Sequence, residues 1–123
     1  MPGLIPHLIA GTALFFVGII YYRSYFKGNN KNKLLLAFVC LAFSIIPDIF
    51  LGIYYTTHLL SFNTLLPYHV FTHLILTPIA IIAFVILLIR FDTKRKPIWI
   101  MGIWALLLHI IMDVLIQETN MFI

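Results

Sequence analysis

Six side chains have the types and spacing to do chemistry within an otherwise apolar sequence: His7, Asp48, His69, His73, His109 and Asp113. His69 and His73 stand four residues apart in "YHVFTHL", as do His109 and Asp113 in "LLHIIMDVL". On a helix that spacing places both members of a pair on one face, a turn apart. Imidazole and carboxylate are donors for zinc and related divalent ions. Two such pairs, together with Asp48 and His7 from other helices, match the way metal sites are assembled in bundle cores.

The elements that must carry these groups are apolar helices. The 123 residues are 63% hydrophobic and 10% charged, with a mean hydropathy of +1.07. Soluble domains are about half apolar and a quarter charged, so the composition is that of a membrane protein. The sequence predicts an all-α, polytopic fold: a single domain over 1–123 in which four transmembrane helices, at about 4–22, 34–55, 69–89 and 98–116, form a bundle. The first connector, "RSYFKGNNKNK", has a turn composition and is expected to offer no packing surface. Pro97 falls at the start of the fourth helix, where its missing amide costs little. Cys40, the only cysteine, excludes an internal disulfide and reads as a packing residue.

All eight Lys and Arg residues lie in the first and third connectors: Arg23, Lys27, Lys31, Lys33, Arg90, Lys94, Arg95 and Lys96. The positive-inside rule then puts those connectors in the cytoplasm, and both termini and the second connector outside. The same arrangement accounts for the net charge of +4 without nucleic acid. The first helix is followed by Arg23 and has no basic leader, so it is expected to be retained and not cleaved as a signal peptide. Tyr21, Tyr22 and Trp99 fall at the expected inner interface, and Tyr54, Tyr55 and Tyr68 at the outer one.

Depth can be read from the helical rise. Asp48 lies about 21 Å from the inner end of the second helix, and His109 and Asp113 about 16 and 22 Å from that of the fourth. His69 is expected at the outer mouth of the third helix, with His73 about 6 Å below it. His7 is near the outer end of the first. The six groups therefore gather in the outer half, and the inner half carries only neutral polar residues such as Ser44 and Thr77. A carboxylate at a helix centre costs about 2.5–3.5 kcal/mol on insertion scales, which a bound dication would offset. Two other readings stay open. The histidines and aspartates could knit helices together by hydrogen bonds, or serve an ion or proton pathway. His7 could equally be an interfacial histidine. His58 is expected to be solvated in the second connector, Asp92 to sit in a charged turn, and Glu118 to be solvated or a peripheral ligand or base at the outer face.

Taken in order, "PHLIAG", "IIPDIF", "YHVFTHL" and "LLHIIMDVL" resemble the membrane-bound metal-dependent hydrolase family, the LexA-regulated inner-membrane hydrolases and their relatives. That family carries an early His, a Leu-Pro-Asp-Ile-Asp stretch, a His-Arg-Gly-x-Thr-His-Ser stretch and a late His-x-x-x-Asp. It is distantly similar to zinc-dependent phospholipase C. The resemblance implies that His7, Asp48, His69, His109 and Asp113 are metal ligands, and that His73 is a ligand or an acid/base group beside Thr72. It further implies a hydrolase of the prokaryotic inner membrane that uses one or two divalent ions, with Zn2+ expected. Phe50 stands where the second Asp of the Pro-Asp-x-Asp stretch would be, the histidine pair is one residue closer, and its Arg and Ser are missing. These departures argue against a three-metal site. His73 or Asp48 would serve as the catalytic base. The position of the cluster suits a substrate embedded in the bilayer, a membrane phospholipid or a polyprenyl phosphate. The alternative is a metal-binding or ion-translocating membrane protein without hydrolase activity. A homo-oligomer is a further possibility for such a bundle.

Overall fold

A computed structural model describes residues 4–116; Glu118 lies outside them. Every element among the described residues is helical. Helix α1 spans Leu4–Tyr21, and a single turn, α2, spans Arg23–Phe26. The second long rod runs Asn30–Thr57. It consists of α3 (Asn30–Ile45), a 3-10 turn at Ile46–Asp48, and α4 (Ile49–Thr57). The third runs Phe62–Phe91, as α5 (Phe62–Phe71), a π turn at Thr72–Leu76, α6 (Thr77–Ile86) and a second π turn at Leu87–Phe91. The last, α7, is Lys96–Ile116. The three long rods have the length and apolarity to cross a membrane, and α1 is a shorter apolar helix.

The boundaries correct the sequence reading in two places. The second rod begins at Asn30, capped by the Asn29 side chain on the amide of Asn32. The first connector also packs: Phe26 is fully buried in the core, and Asn32 donates to the Tyr25 hydroxyl at 2.9 Å. The turn-like composition hid an aromatic pair whose rings need cover. In the second connector, Ser61 caps α5 by accepting from the Thr64 amide, so the third rod starts seven residues before His69. His69 is thus not at the helix mouth but about 10 Å inside the end of its rod. At 30 residues this rod is about 45 Å long, more than the hydrocarbon thickness of about 30 Å, and must tilt or project.

Two of the three irregularities in the long rods follow from proline. Pro47 has no amide donor and sits in the 3-10 turn of the second rod. Pro78 would press its ring against the carbonyl one turn back, and the π turn immediately before it widens the helix there.

The rods are held in register by glycines. A Cβ at Gly11 would lie 2.5 Å from Ser44 Oγ and 2.9 Å from the Cys40 carbonyl, so α1 and α3 approach backbone to backbone. At Gly102 a Cβ would meet Val39 at 2.9 Å, which sets α7 against α3. The apolar core, including Leu36, Val39, Phe84, Ile98 and Met101, fills the half of the bundle nearer the basic connectors. Trp99 belongs to this packing as well: its ring stacks on Phe84 at 5.8 Å, and its indole nitrogen is buried without a hydrogen-bond partner among the described residues.

Candidate metal centre

The register fixed by Gly11 and Ser44 has a direct effect on the site. The two helices are antiparallel, so one turn further along each brings His7 opposite Asp48. His7 Nε2 lies 3.0 Å from Asp48 Oδ2 and 3.4 Å from Asp113 Oδ1. Helices α3 and α7 run in the same direction, and the Gly102–Val39 contact brings His109 level with Ser44. The His109 Nδ1–H donates to the Ser44 carbonyl at 2.8 Å. That bond fixes the ring and leaves the Nε2 lone pair facing inward, the arrangement expected of a metal-ligating histidine.

The third rod supplies the remaining pair. His73 Nδ1–H donates to the His69 carbonyl at 3.1 Å, again turning Nε2 inward. This nitrogen is 2.7 Å from Asp113 Oδ2, 3.1 Å from His109 Nε2 and 3.4 Å from Asp48 Oδ1. His69 Nδ1 lies 3.6 Å from Asp48 Oδ1. The Thr72 hydroxyl, fully buried, lies 2.7 Å from the carbonyls of both Pro47 and His69. It staples the 3-10 turn of the second rod to the third rod just where Asp48 and His73 emerge. His7 and His109 stack with ring centroids 4.1 Å apart.

All six predicted residues therefore come together, contributed by four helices. They form two overlapping groups whose donor atoms lie within 4.8 Å of one another: His7, Asp48, His109 and Asp113 in one, Asp48, His69 and His73 in the other. Asp48 belongs to both. His58 ends α4 in a left-handed conformation, φ 53°, packs edge-on against Tyr54 and takes no part. Asp92 pairs with Arg95 at 3.0 Å in the third connector.

The residues fit a dication. His7 Nδ1 and Nε2, Asp48 Oδ1, His69 Nδ1 and Asp113 Oδ1 are buried without a hydrogen-bond partner among the described residues. His7 Nε2 is close enough to Asp48 to bond, but is not aligned with it. Each unsatisfied buried polar atom costs about 1–3 kcal/mol. His73 does bond across helices to Asp113 and His109, but interhelical glue alone would not leave His7 Nε2, Asp48 Oδ1 and His69 Nδ1 buried beside it without partners. The parts that sequence reasoning missed are the orienting partners, the Ser44 and His69 carbonyls and the Thr72 hydroxyl. A backbone carbonyl carries no residue signal, and Thr72 could have been flagged only by its place beside His73.

The helices and the buried His/Asp cluster define a polytopic membrane protein with a site that could hold metal. Residues 1–120 match the YdjM inner membrane proteins, and the chain belongs to that family. It is an integral protein of the inner membrane. No curated protein and no solved structure matches it.

Proposed function

We propose that this protein is a membrane-embedded metal-dependent hydrolase that cleaves a phosphoester of a lipid-like substrate at the outer leaflet. One observation carries the metal: one buried atom from each of four helices, His7 Nε2, Asp48 Oδ1, His69 Nδ1 and Asp113 Oδ1, lacks a hydrogen-bond partner among the described residues and belongs to the cluster. The hydrolase reading rests on the resemblance of the four His and Asp stretches, and the outer leaflet on the charge bias of the connectors. One or two zinc ions would supply an acidified water and a Lewis acid for the scissile group.

The chain's own residues have distinct parts. His7, Asp48, His69, His109 and Asp113 hold the metal. His73 is the most exposed histidine of the cluster, its side chain 19% accessible against 9% or less for the other three. It is the residue placed to take a proton from water or return one to a leaving group at Nε2, with Nδ1 anchored on the His69 carbonyl. Asp48, at 15%, is the alternative base. The reading as an ion pathway is disfavoured by the apolar core beyond the cluster, where Leu36, Val39, Phe84 and Met101 offer no ionisable relay.

The test is metal content. Protein purified in mild detergent without a histidine tag is expected to hold near-stoichiometric zinc or another dication by mass spectrometry. Asp113→Asn should lose it, and His58→Ala should keep it. No metal in the wild-type chain, even after zinc is added, would sink the proposal. Hydrolysis of phospholipids and polyprenyl phosphates would then be screened with the loaded protein.

A further inference from the structure

An apolar groove lies directly beside the cluster. Its volume is about 230 Å³, and its walls include Pro47 and Thr72, the immediate neighbours of Asp48 and His73. The groove thus ends at the residues that precede Asp48 and His73 in the chain, where the Thr72 hydroxyl meets the Pro47 carbonyl. Its other walls are Phe43 on α3, Leu76 and Ala80 on the third rod, and Leu106 on α7. Apart from Thr72, which lies between His69 and His73, the groove residues on each of these rods lie on the side of the cluster that leads toward the basic connectors. Phe43 precedes Asp48, Leu106 precedes His109, and Leu76 and Ala80 follow His73.

The direction matches the way a lipid sits in a leaflet. Its head group is near one surface, and its chains run toward the midplane. A head group at the cluster would send a chain along this groove. The rim is formed by Ile46, Leu76 and Ile79, all large, apolar and exposed, so the opening faces hydrocarbon and not water. The 3-10 turn at Pro47 and the π turn before Pro78 both contribute residues to the groove wall. The Thr72 hydroxyl is spent on the Pro47 and His69 carbonyls, which leaves only its methyl group to the groove. Thr77 likewise turns its hydroxyl back onto the Thr72 carbonyl at 2.9 Å.

We infer that this groove holds one acyl chain of a membrane phospholipid whose phosphate head group reaches the His/Asp cluster. As a statement about substrate, the inference rests on the hydrolase reading above; as a statement about lipid binding, it does not. Ala80 is the residue that sets the room available, because a larger side chain there would fill the groove.

The experiment uses the full chain in vesicles containing a phosphatidylglycerol with a mid-chain diazirine, followed by light and peptide mapping. Adducts are expected to concentrate several-fold on Phe43, Leu76 and Ile79 over Phe16 and Ile20, which are lipid-facing residues on α1. Excess unlabelled phosphatidylglycerol should compete away the groove adducts and leave those on α1. Ala80→Phe should remove the groove adducts while bound metal stays at the wild-type level. Ile79→Trp, a change at the rim, should reduce them in part. Adducts spread evenly over the exposed faces, indifferent to competitor and to Ala80→Phe, would overturn the proposal. A chain that holds metal but shows that even pattern keeps its metal centre and loses the acyl groove. A chain that binds no metal yet shows competed groove adducts keeps the groove and loses the hydrolase reading.

Discussion

The carboxylate of Asp48 faces histidines from three other rods, and its two oxygens divide them. Oδ2 is nearest His7, while Oδ1 lies 3.4, 3.6 and 3.8 Å from His73, His69 and His109. Membership of both donor groups makes Asp48 the residue whose loss should matter most. Asp48→Asn is expected to lower bound metal further than His69→Ala, because His69 belongs to one group only. Mass spectrometry of the two variants side by side is the check, and the reverse order would remove Asp48 from its central place. The same comparison separates ligation from helix glue, since Asn keeps a hydrogen-bonding amide in a site where it would be a poor ligand.

At the scale of elements, two glycines on different helices make opposite predictions. Gly11→Ala puts a methyl group 2.5 Å from Ser44 Oγ and 2.9 Å from a backbone carbonyl. Overpacking of this kind costs about 1–3 kcal/mol. By pushing α1 away from α3, it should also carry His7 off Asp48 and weaken metal binding. Gly52→Ala meets nothing within 4 Å and should be neutral or stabilising by up to about 1 kcal/mol through helix propensity. Thermal unfolding with metal analysis of both variants decides; an unaffected Gly11→Ala chain would mean that the register is set elsewhere. The six site residues were legible in the sequence because an ionisable group in an apolar run stands out, and because spacing of four reports a shared face. The register that brings them together was not. It depends on Gly11 and Gly102, which read locally as weak points in a helix and show their purpose only against Ser44 and Val39. The early start of the third rod was missed for a related reason: a cap formed by Ser61 and Thr64 lies within a stretch that also reads as a loop.

For the whole molecule, the sequence carried the helical class and the membrane location through composition. It also carried the asymmetry of the chain, with all eight basic residues in two connectors. The orientation that follows from this asymmetry is testable. In a Cys40→Ser background, a cysteine at Lys27 should react with membrane-impermeant maleimide only after the cell is opened, and one at His58 should react from outside. Labelling of position 27 in intact cells would invert the molecule and move the site to the inner leaflet.

The apolar layer between the cluster and the basic connectors has an electrical consequence. Six ionisable groups sunk into an energised membrane could short-circuit it if water or a relay continued past them. Leu36, Val39, Phe84, Ile98 and Met101 form an apolar core there with no ionisable member, so the bundle is expected to behave as an insulator, its ionisable cluster confined to one half. Vesicles containing the protein should therefore hold a pH gradient as long as vesicles without it. A faster collapse would show that the insulator leaks.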